Sequence, residues 1–311
     1  MNALETAVYP YDRMKLACIY RNPNVDLPDL GIHEENLRKV YGENLCFPKG
    51  SEEYPYAYAS MVTSIDGRIA FPDAPIGPFI ASKNYLAKED SLIDWYTLNI
   101  LRASADGIIF GANTLAAEPE GTGHVYDAYL SKARERMKGS IVPWNIIPTM
   151  DGTDIPFGHI TFTSGQIPVI LYTTCKGMEF CRQQLGRKTA VIDSLEGCPS
   201  SLDPSAVYIV VTGEDRIDNR LGLKILRRMG IRRLLVESPT LAHIFIREQL
   251  LDELFLDYSC VYLGGSALTI GQRFPSFTSQ DHPHTELLRV YMHSSHFMFF
   301  RHRLVYNVKE G

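Results

Sequence analysis

Residues 230–265 read GIRRLLVESPTLAHIFIREQLLDELFLDYSCVYLGG, a strand, a helix and a second strand with little between them. Gly230 stands where a left-handed residue closes a helix, and the run 219–229 before it supplies that helix. Residues 231–237 form a short apolar strand of the fully buried kind. Pro239 opens the next helix at the position where its missing N–H costs least. Residues 253–263 form a strand that runs into Gly264-Gly265.

The same rhythm extends outward. Residues 56–64 read as a strand closed by the turn chemistry of Asp66-Gly67. Ser82 is placed to cap a helix over 82–102, with Leu86, Leu92, Ile93, Tyr96, Ile100 and Leu101 as its apolar stripe. Residues 107–110 are a buried strand ending at Gly111, and 114–117 begin another helix. Strands follow at 169–173, 190–193 and 206–211, with a helix near 179–185. The tail, 287–292 and 297–306, alternates as a hairpin. Repeated strand–helix–strand units with a β tail specify an α/β fold with a mostly parallel central sheet flanked by helices.

Two regions break the pattern. Residues 1–55 hold one strand (14–20) and one short helix (34–40) among prolines and glycines, and are expected to form an N-terminal extension to a domain over 56–311. Residues 118–166 are rich in Gly, Pro, Thr and Asp, and only 127–137 reads as helical. That stretch is expected to be an insertion or a long loop.

Bulk properties narrow the function. The chain has 311 residues, 45% hydrophobic and 22% charged, with a formal net charge of -5. An acidic chain lacks the basic surface that displaces counterions from nucleic acid. No stretch is long and apolar enough to span a bilayer, and residues 1–11 lack the order of a secretory signal, so the cytosol is the expected compartment. The six cysteines, at 18, 46, 175, 181, 198 and 260, match no common zinc spacing, and His282 with His284 has no neighbouring ligands; no metal is expected.

In an open α/β sheet, ligands bind at the carboxyl ends of strands. The strands ending at Gly111, Glu237 and Gly264 therefore lead the search, because glycine lets a backbone approach a dinucleotide closely. The G-x-G-x-x-G fingerprint is absent, which excludes a standard Rossmann dehydrogenase, and strand-end turns explain the glycines equally well. Glu237 ends an apolar strand, where its carboxylate serves either a substrate or the N-terminus of the following helix. Arg102, at a helix end, suits either the helix dipole or a phosphate. Asp66 reads most simply as a turn residue.

Three motifs sharpen this. YASMVTSIDGRIA (58–70), RASADGIIFGANT (102–114) and the 230–265 run, in that order, resemble the reductase domain of riboflavin biosynthesis in the dihydrofolate-reductase-like superfamily. The resemblance covers roughly 56–306, with 118–166 a poor fit. It implies a homodimer that uses NADPH to reduce the ribosyl group of a pyrimidine ribosylamine phosphate to a ribityl chain. By the same resemblance Thr114 and the 238–242 turn, with Ser238, Pro239, Thr240 and Leu241, face the cofactor phosphates. Gly111, Gly264 and Gly265 border the cofactor, Thr63 lies beside the nicotinamide, and Phe79 is its aromatic contact. Thr173 and Thr174 sit near the adenosine phosphate. Arg102, Glu237 and Asp66 face the substrate, with Glu237 catalytic.

The chain departs from the family pattern in three places. Ser60 replaces a lysine, Ala117-Glu118-Pro119-Glu120 replaces an Asp-Asp-Pro run and its following arginine, and Val236-Glu237-Ser238-Pro239 shortens a Val-Glu-Gly-Gly-Pro turn. Two alternatives therefore stay open. One is a pterin or dihydrofolate-type reductase, for which Glu89, Asp90 and Asp94 are the available helix acids. The other is a non-catalytic nucleotide-binding relative, since fold does not guarantee function.

Overall fold

A computed structural model describes residues 4–272 and 274–306. The N-terminal part carries β1 (Ala17–Arg21), β2 (Asp29–Ile32), α1 (Glu35–Tyr41), β3 (Leu45–Phe47) and β4 (Tyr56–Thr63). Next come α2 (Phe79–Ser82), α3 (Ser91–Ser104), β5 (Gly107–Ile109), α4 (Ala112–Ala117), α5 (Ala128–Lys138), β6 (Trp144–Pro148) and α6 (Ile160–Thr163). These are followed by β7 (Val169–Thr173), α7 (Cys175–Gln184), β8 (Thr189–Ile192), β9 (Val207–Val211) and α8 (Asn219–Arg228). The chain closes with β10 (Arg233–Val236), α9 (Pro239–Arg247), β11 (Glu253–Ser259), β12 (His284–Ser294) and β13 (Phe297–Val305).

The described residues gather into two compact units, each assembled from separate stretches of chain. The first holds residues 4–6, 50–56 and 102–235, and the second holds 7–49, 57–101 and 236–306.

In the first unit the strands lie in the order β10-β5-β6-β7-β9-β8. The pairs β5·β6, β6·β7, β7·β9 and β8·β9 are all parallel. β7 and β9 are buried at every residue, which is why they read as unbroken apolar runs. Local chemistry bounds the helices: Asp127 caps the start of α5 and Asp218 that of α8, Gly139 takes a φ of 72° just beyond α5, and Gly230, the expected helix stop, takes 97° beyond α8. Gly222 on α8 lies against the Tyr172 ring, so the helix meets the sheet closely; Tyr172 donates to the Asp218 carbonyl at 3.1 Å.

The second unit carries β1-β12-β13-β11-β4, with β2 and β3 as a separate antiparallel pair. β11 and β4 are parallel, whereas β11·β13, β12·β13 and β1·β12 are antiparallel. The C-terminal hairpin expected from the alternating tail is β12–β13. β1, from the N-terminal stretch, pairs with β12 as the outermost strand.

Two expectations differ from the structure. The stretch 118–166 holds the helix α5 but also β6, hydrogen-bonded to β5 on one side and β7 on the other. Pro143 and Pro148 at its ends masked it; Pro148 is the last residue of the strand, where a missing N–H disturbs the ladder least. The helix expected over 82–102 is Ser91–Ser104, while Ser82 ends α2. Asn84 turns the chain between them, its amide donating to Ser259 Oγ at 3.1 Å, and Leu86 stands 78% exposed rather than in an apolar stripe.

Candidate functional site

In the second unit β4 and β11 run parallel with Thr63 opposite Tyr258, so the loops after both strands leave the same edge of the sheet. Asp66 ties those loops together. Its Oδ1 accepts from Ser64 Oγ at 2.6 Å and from Leu263 N at 3.2 Å. Its Oδ2 accepts from Gly264 N at 2.8 Å and from Arg68 Nε at 3.3 Å. Arg68 extends the clasp by donating to the Gly265 and Ala267 carbonyls, each at 2.8 Å. The Ser64 hydroxyl, followed by the two backbone N–H groups and Arg68, holds the Asp66 carboxyl far below the usual carboxylate range.

Asp66, expected at the substrate, is engaged within the chain. Four internal donors use its acceptor positions, and it acts as the lock of the glycine loop. Gly264 and Gly265 sit at φ of 68° and 58°, conformations in which a side chain is strained, and open space lies where a Gly265 Cβ would be. Thr63, at the end of β4, is 3% exposed, and its hydroxyl has no hydrogen-bond partner among the described residues. A buried hydroxyl without a partner at a strand end suits a polar group supplied from outside the chain.

The other second-unit candidates lie on α2 and around the start of α9. Phe79 is half-buried, with Lys83 Nζ 5.0 Å from its ring centroid. Glu237, half-buried, follows directly on β10. The shortened turn has a local reason: Ser238 is itself the α9 N-cap, accepting from Leu241 N at 3.3 Å, and Pro239 takes the first helical position. Thr240 is exposed in that first turn.

Sequence reading did not single out a carboxyl pair in this unit. Asp94, half-buried on α3, and Asp257, buried on β11, are hydrogen-bonded to each other. Loss of hydration pushes Asp94 up to about 6 and Asp257 well above the ordinary range, the Asp94 charge adding to the rise in Asp257. Two touching carboxyls hold a proton between them. The signal was half visible, because Asp94 was one of three helix acids, but its partner lies 163 residues away, the difference between positions 257 and 94.

In the first unit the parallel strands align their C-terminal turns along one edge. Gly111 is the residue before α4, no side chain caps that helix, and open space lies where a Gly111 Cβ would be. Thr114 lies in the first turns of α4, its N–H donating to the Gly111 carbonyl at 3.0 Å. Thr173 and Thr174 are buried, and both hydroxyls donate to the Met150 carbonyl, at 3.4 and 2.7 Å. Thr174 also caps α7. Both residues, expected near a phosphate, build the β7–α7 turn. The neighbouring Thr212, 2% exposed, has a hydroxyl without a partner among the described residues. Lys176 is ion-paired with Asp215.

Arg102, expected at the substrate, is buried, and its Nη1 donates to the Thr122 and His124 carbonyls, each at 3.2 Å, with its guanidinium 5.8 Å from the centre of the Tyr126 ring. It pins the segment that follows α4. Asn145 Oδ1 accepting from Gly123 N at 3.0 Å and His159 meeting the Glu118 carbonyl at 3.1 Å hold the same segment.

Asp66 and Asp94 carry opposite pH signatures. A depressed carboxyl stabilises the fold above its unfolded pKa, near 4, and loses that contribution as pH falls through its folded value. Asp66→Asn should therefore lower the melting temperature at pH 7 and by less near pH 2–3; equal melting at pH 7 would exclude the lock. A raised carboxyl favours folding at low pH and loses that contribution as pH rises from about 4 through its folded pKa, near 6 for Asp94. Asp94→Asn should accordingly stabilise the fold by about 1–3 kcal/mol at pH 8 and change little at pH 4. Destabilisation at pH 8 in chemical denaturation would contradict the shared proton.

The model of the RibD C-terminal domain family matches residues 55–295, most of the chain. No curated protein sequence matches significantly. Among solved structures, a pyrimidine reductase-like protein from Corynebacterium diphtheriae aligns with a TM-score of 0.60 and 16% identity, over 81% of this chain and 93% of that one. Acinetobacter baumannii RibD aligns with a TM-score of 0.53 and 17% identity over 81% of this chain, which spans only 59% of that protein. The riboflavin biosynthesis reductase of Saccharomyces cerevisiae aligns with a TM-score of 0.50 and 16% identity, over 87% of this chain and all of that one. At such identities these likenesses establish the fold, which is dihydrofolate-reductase-like, and the family model establishes membership: the chain belongs to the RibD C-terminal domain family and is a reductase of the riboflavin-pathway type.

Proposed function

We propose that the chain uses NADPH to reduce the ribosyl group of a pyrimidine ribosylamine phosphate to a ribityl chain. The family match over residues 55–295 carries this reading. The Thermotoga maritima relative, aligned at 16% identity, is named a 5-amino-6-(5-phosphoribosylamino)uracil reductase as well as a deaminase. Each unit, taken by itself, has strand ends that suit part of a nucleotide: in the second, the buried Thr63 hydroxyl without a partner among the described residues and open space beside Gly265; in the first, the Thr212 hydroxyl and open space beside Gly111.

When bound, the cofactor supplies a hydride to the ribosyl carbon. The chain's own residues hold the reactants in place, which lowers the barrier by orientation. Thr63 offers its hydroxyl to the nicotinamide end. In the second unit Gly264 and Gly265, locked by Asp66, and the Ser238–Leu241 turn with Pro239 and Thr240 offer backbone to the cofactor; in the first unit Gly111 and Thr114 do so at the start of α4. Glu237 holds the substrate and supplies the proton taken up by the ring oxygen, whose bond to the ribosyl carbon breaks as the hydride arrives. The same reading includes a homodimer in the cytosol that acts on a small molecule, with no nucleic-acid or membrane partner. No helix among the described residues is long and apolar enough to cross a membrane.

One observation favours a second reading. Asp94, on the helix α3 and held by Asp257, is the kind of acid that a pterin-type reductase sets against its substrate's ring. Turnover of dihydropterin but not of the ribosylamine would select that reading. For the main proposal, Glu237→Gln should lower kcat for NADPH oxidation with the ribosylamine phosphate by about 10²-fold, within the range of a lost acid–base group. NADPH affinity should stay within about twofold, a change of less than roughly 0.5 kcal/mol. Unchanged kinetics in the variant would remove Glu237 from the reaction.

A further inference from the structure

The second unit contains a cavity of about 170 Å³ lined in part by Arg21, Arg289, Arg301, Glu43, Tyr291 and Asn44. None of the residues assigned above to cofactor or substrate lines it. Much of its wall comes from residues 21–46, which precede the stretch matched by the family model.

Strand register explains why three arginines meet there. Arg21 on β1 pairs directly with Arg289 on β12, and Arg289 pairs directly with Arg301 on β13. Neighbouring strands lie about 4.8 Å apart, so three guanidiniums originate within roughly 10 Å on one face of the sheet. Like charges directly opposite one another are destabilising, and a row of three needs anions.

Two carboxylates answer three cations. Glu43 accepts from Arg21 at 2.8 Å, from Arg289 at 3.2 Å and from the Tyr291 hydroxyl at 2.6 Å. Glu253 takes Arg301 in a fork of 2.7 and 3.1 Å. Asp257, further along β11, is engaged with Asp94. Arg301 also lies 5.2 and 5.0 Å from the Phe47 and Phe255 ring centroids, which shield it from water. The Asn44 side-chain oxygen is buried without a partner among the described residues. This amide, the tyrosine hydroxyl and the guanidinium row surround the space with hydrogen-bonding groups while leaving one positive charge in excess. The chain as a whole carries -5, so this concentration of positive charge runs against its average.

We propose that this cavity binds a phosphate group, either the free ion or the phosphate of a small ester, on Arg21, Arg289 and Arg301. A phosphate offers more acceptor oxygens than a carboxylate and suits several guanidiniums arriving from different strands. Glu43 is its internal competitor, holding two of the three arginines in the ligand's absence.

The test is calorimetric titration of the full chain with inorganic phosphate and, separately, with glycerol phosphate, at constant ionic strength set with chloride. Arg21 is 55% exposed on an edge strand, so Arg21→Gln retains the fold, which its melting temperature verifies. Saturable binding of one phosphate is expected, weakened at least tenfold in Arg21→Gln and tightened in Glu43→Gln. Binding of both probes assigns an ester-accepting site, and binding of inorganic phosphate alone assigns a free-ion site. Absence of saturable binding, or binding that Arg21→Gln leaves unchanged, overturns the proposal.

Discussion

The parallel pairing of β4 with β11 decides where chemistry is possible in the second unit. With Thr63 opposite Tyr258, the chain leaves both strands at one edge, and the two loops are hydrogen-bonded to each other. The Asp66 carboxylate joins them by accepting from the loop of its own strand and from the backbone of the other. Two successive glycines at positive φ are tolerable because the clasp fixes a conformation that other residues resist. The surface offered to a ligand is therefore backbone, held by side chains that themselves face inward.

The same logic governs the first unit. Five parallel strands align their turns, and the polar residues at those turns mostly bind the protein to itself: Thr173 and Thr174 hold the Met150 carbonyl, and Arg102 holds Thr122 and His124. Buried groups must find partners, so a polar residue beside a strand end is engaged internally unless something external replaces that partner. The hydroxyls of Thr63 and Thr212 are the exceptions at these edges. The Asp94–Asp257 pair, two carboxyls in contact, burdens stability and is compensated only in part.

Much of this architecture was legible in the sequence because the signals are local. The apolar run at 169–173 became a strand with those bounds, and Gly230 follows a helix as a left-handed residue. β6 was hidden by the prolines at its flanks, since propensity penalises them while sheet pairing on both sides overrides the penalty. The break at Asn84 was hidden because its partner, Ser259, is distant in sequence. The site was less legible for the same reason. Residue types at strand ends single out turns, but what Arg102 and Asp66 bind within the chain depends on carbonyls and N–H groups contributed by other loops. Asp94 acquired meaning only from Asp257.

The central claim is that the chain binds a reduced nicotinamide dinucleotide. Its most direct test is titration of the purified chain with NADPH and with NADH, followed by calorimetry or tryptophan fluorescence quenching. Saturable binding of one NADPH per chain, tighter than that of NADH, is the predicted result. Absence of binding by either dinucleotide would contradict the account and leave a reductase fold without its cofactor site.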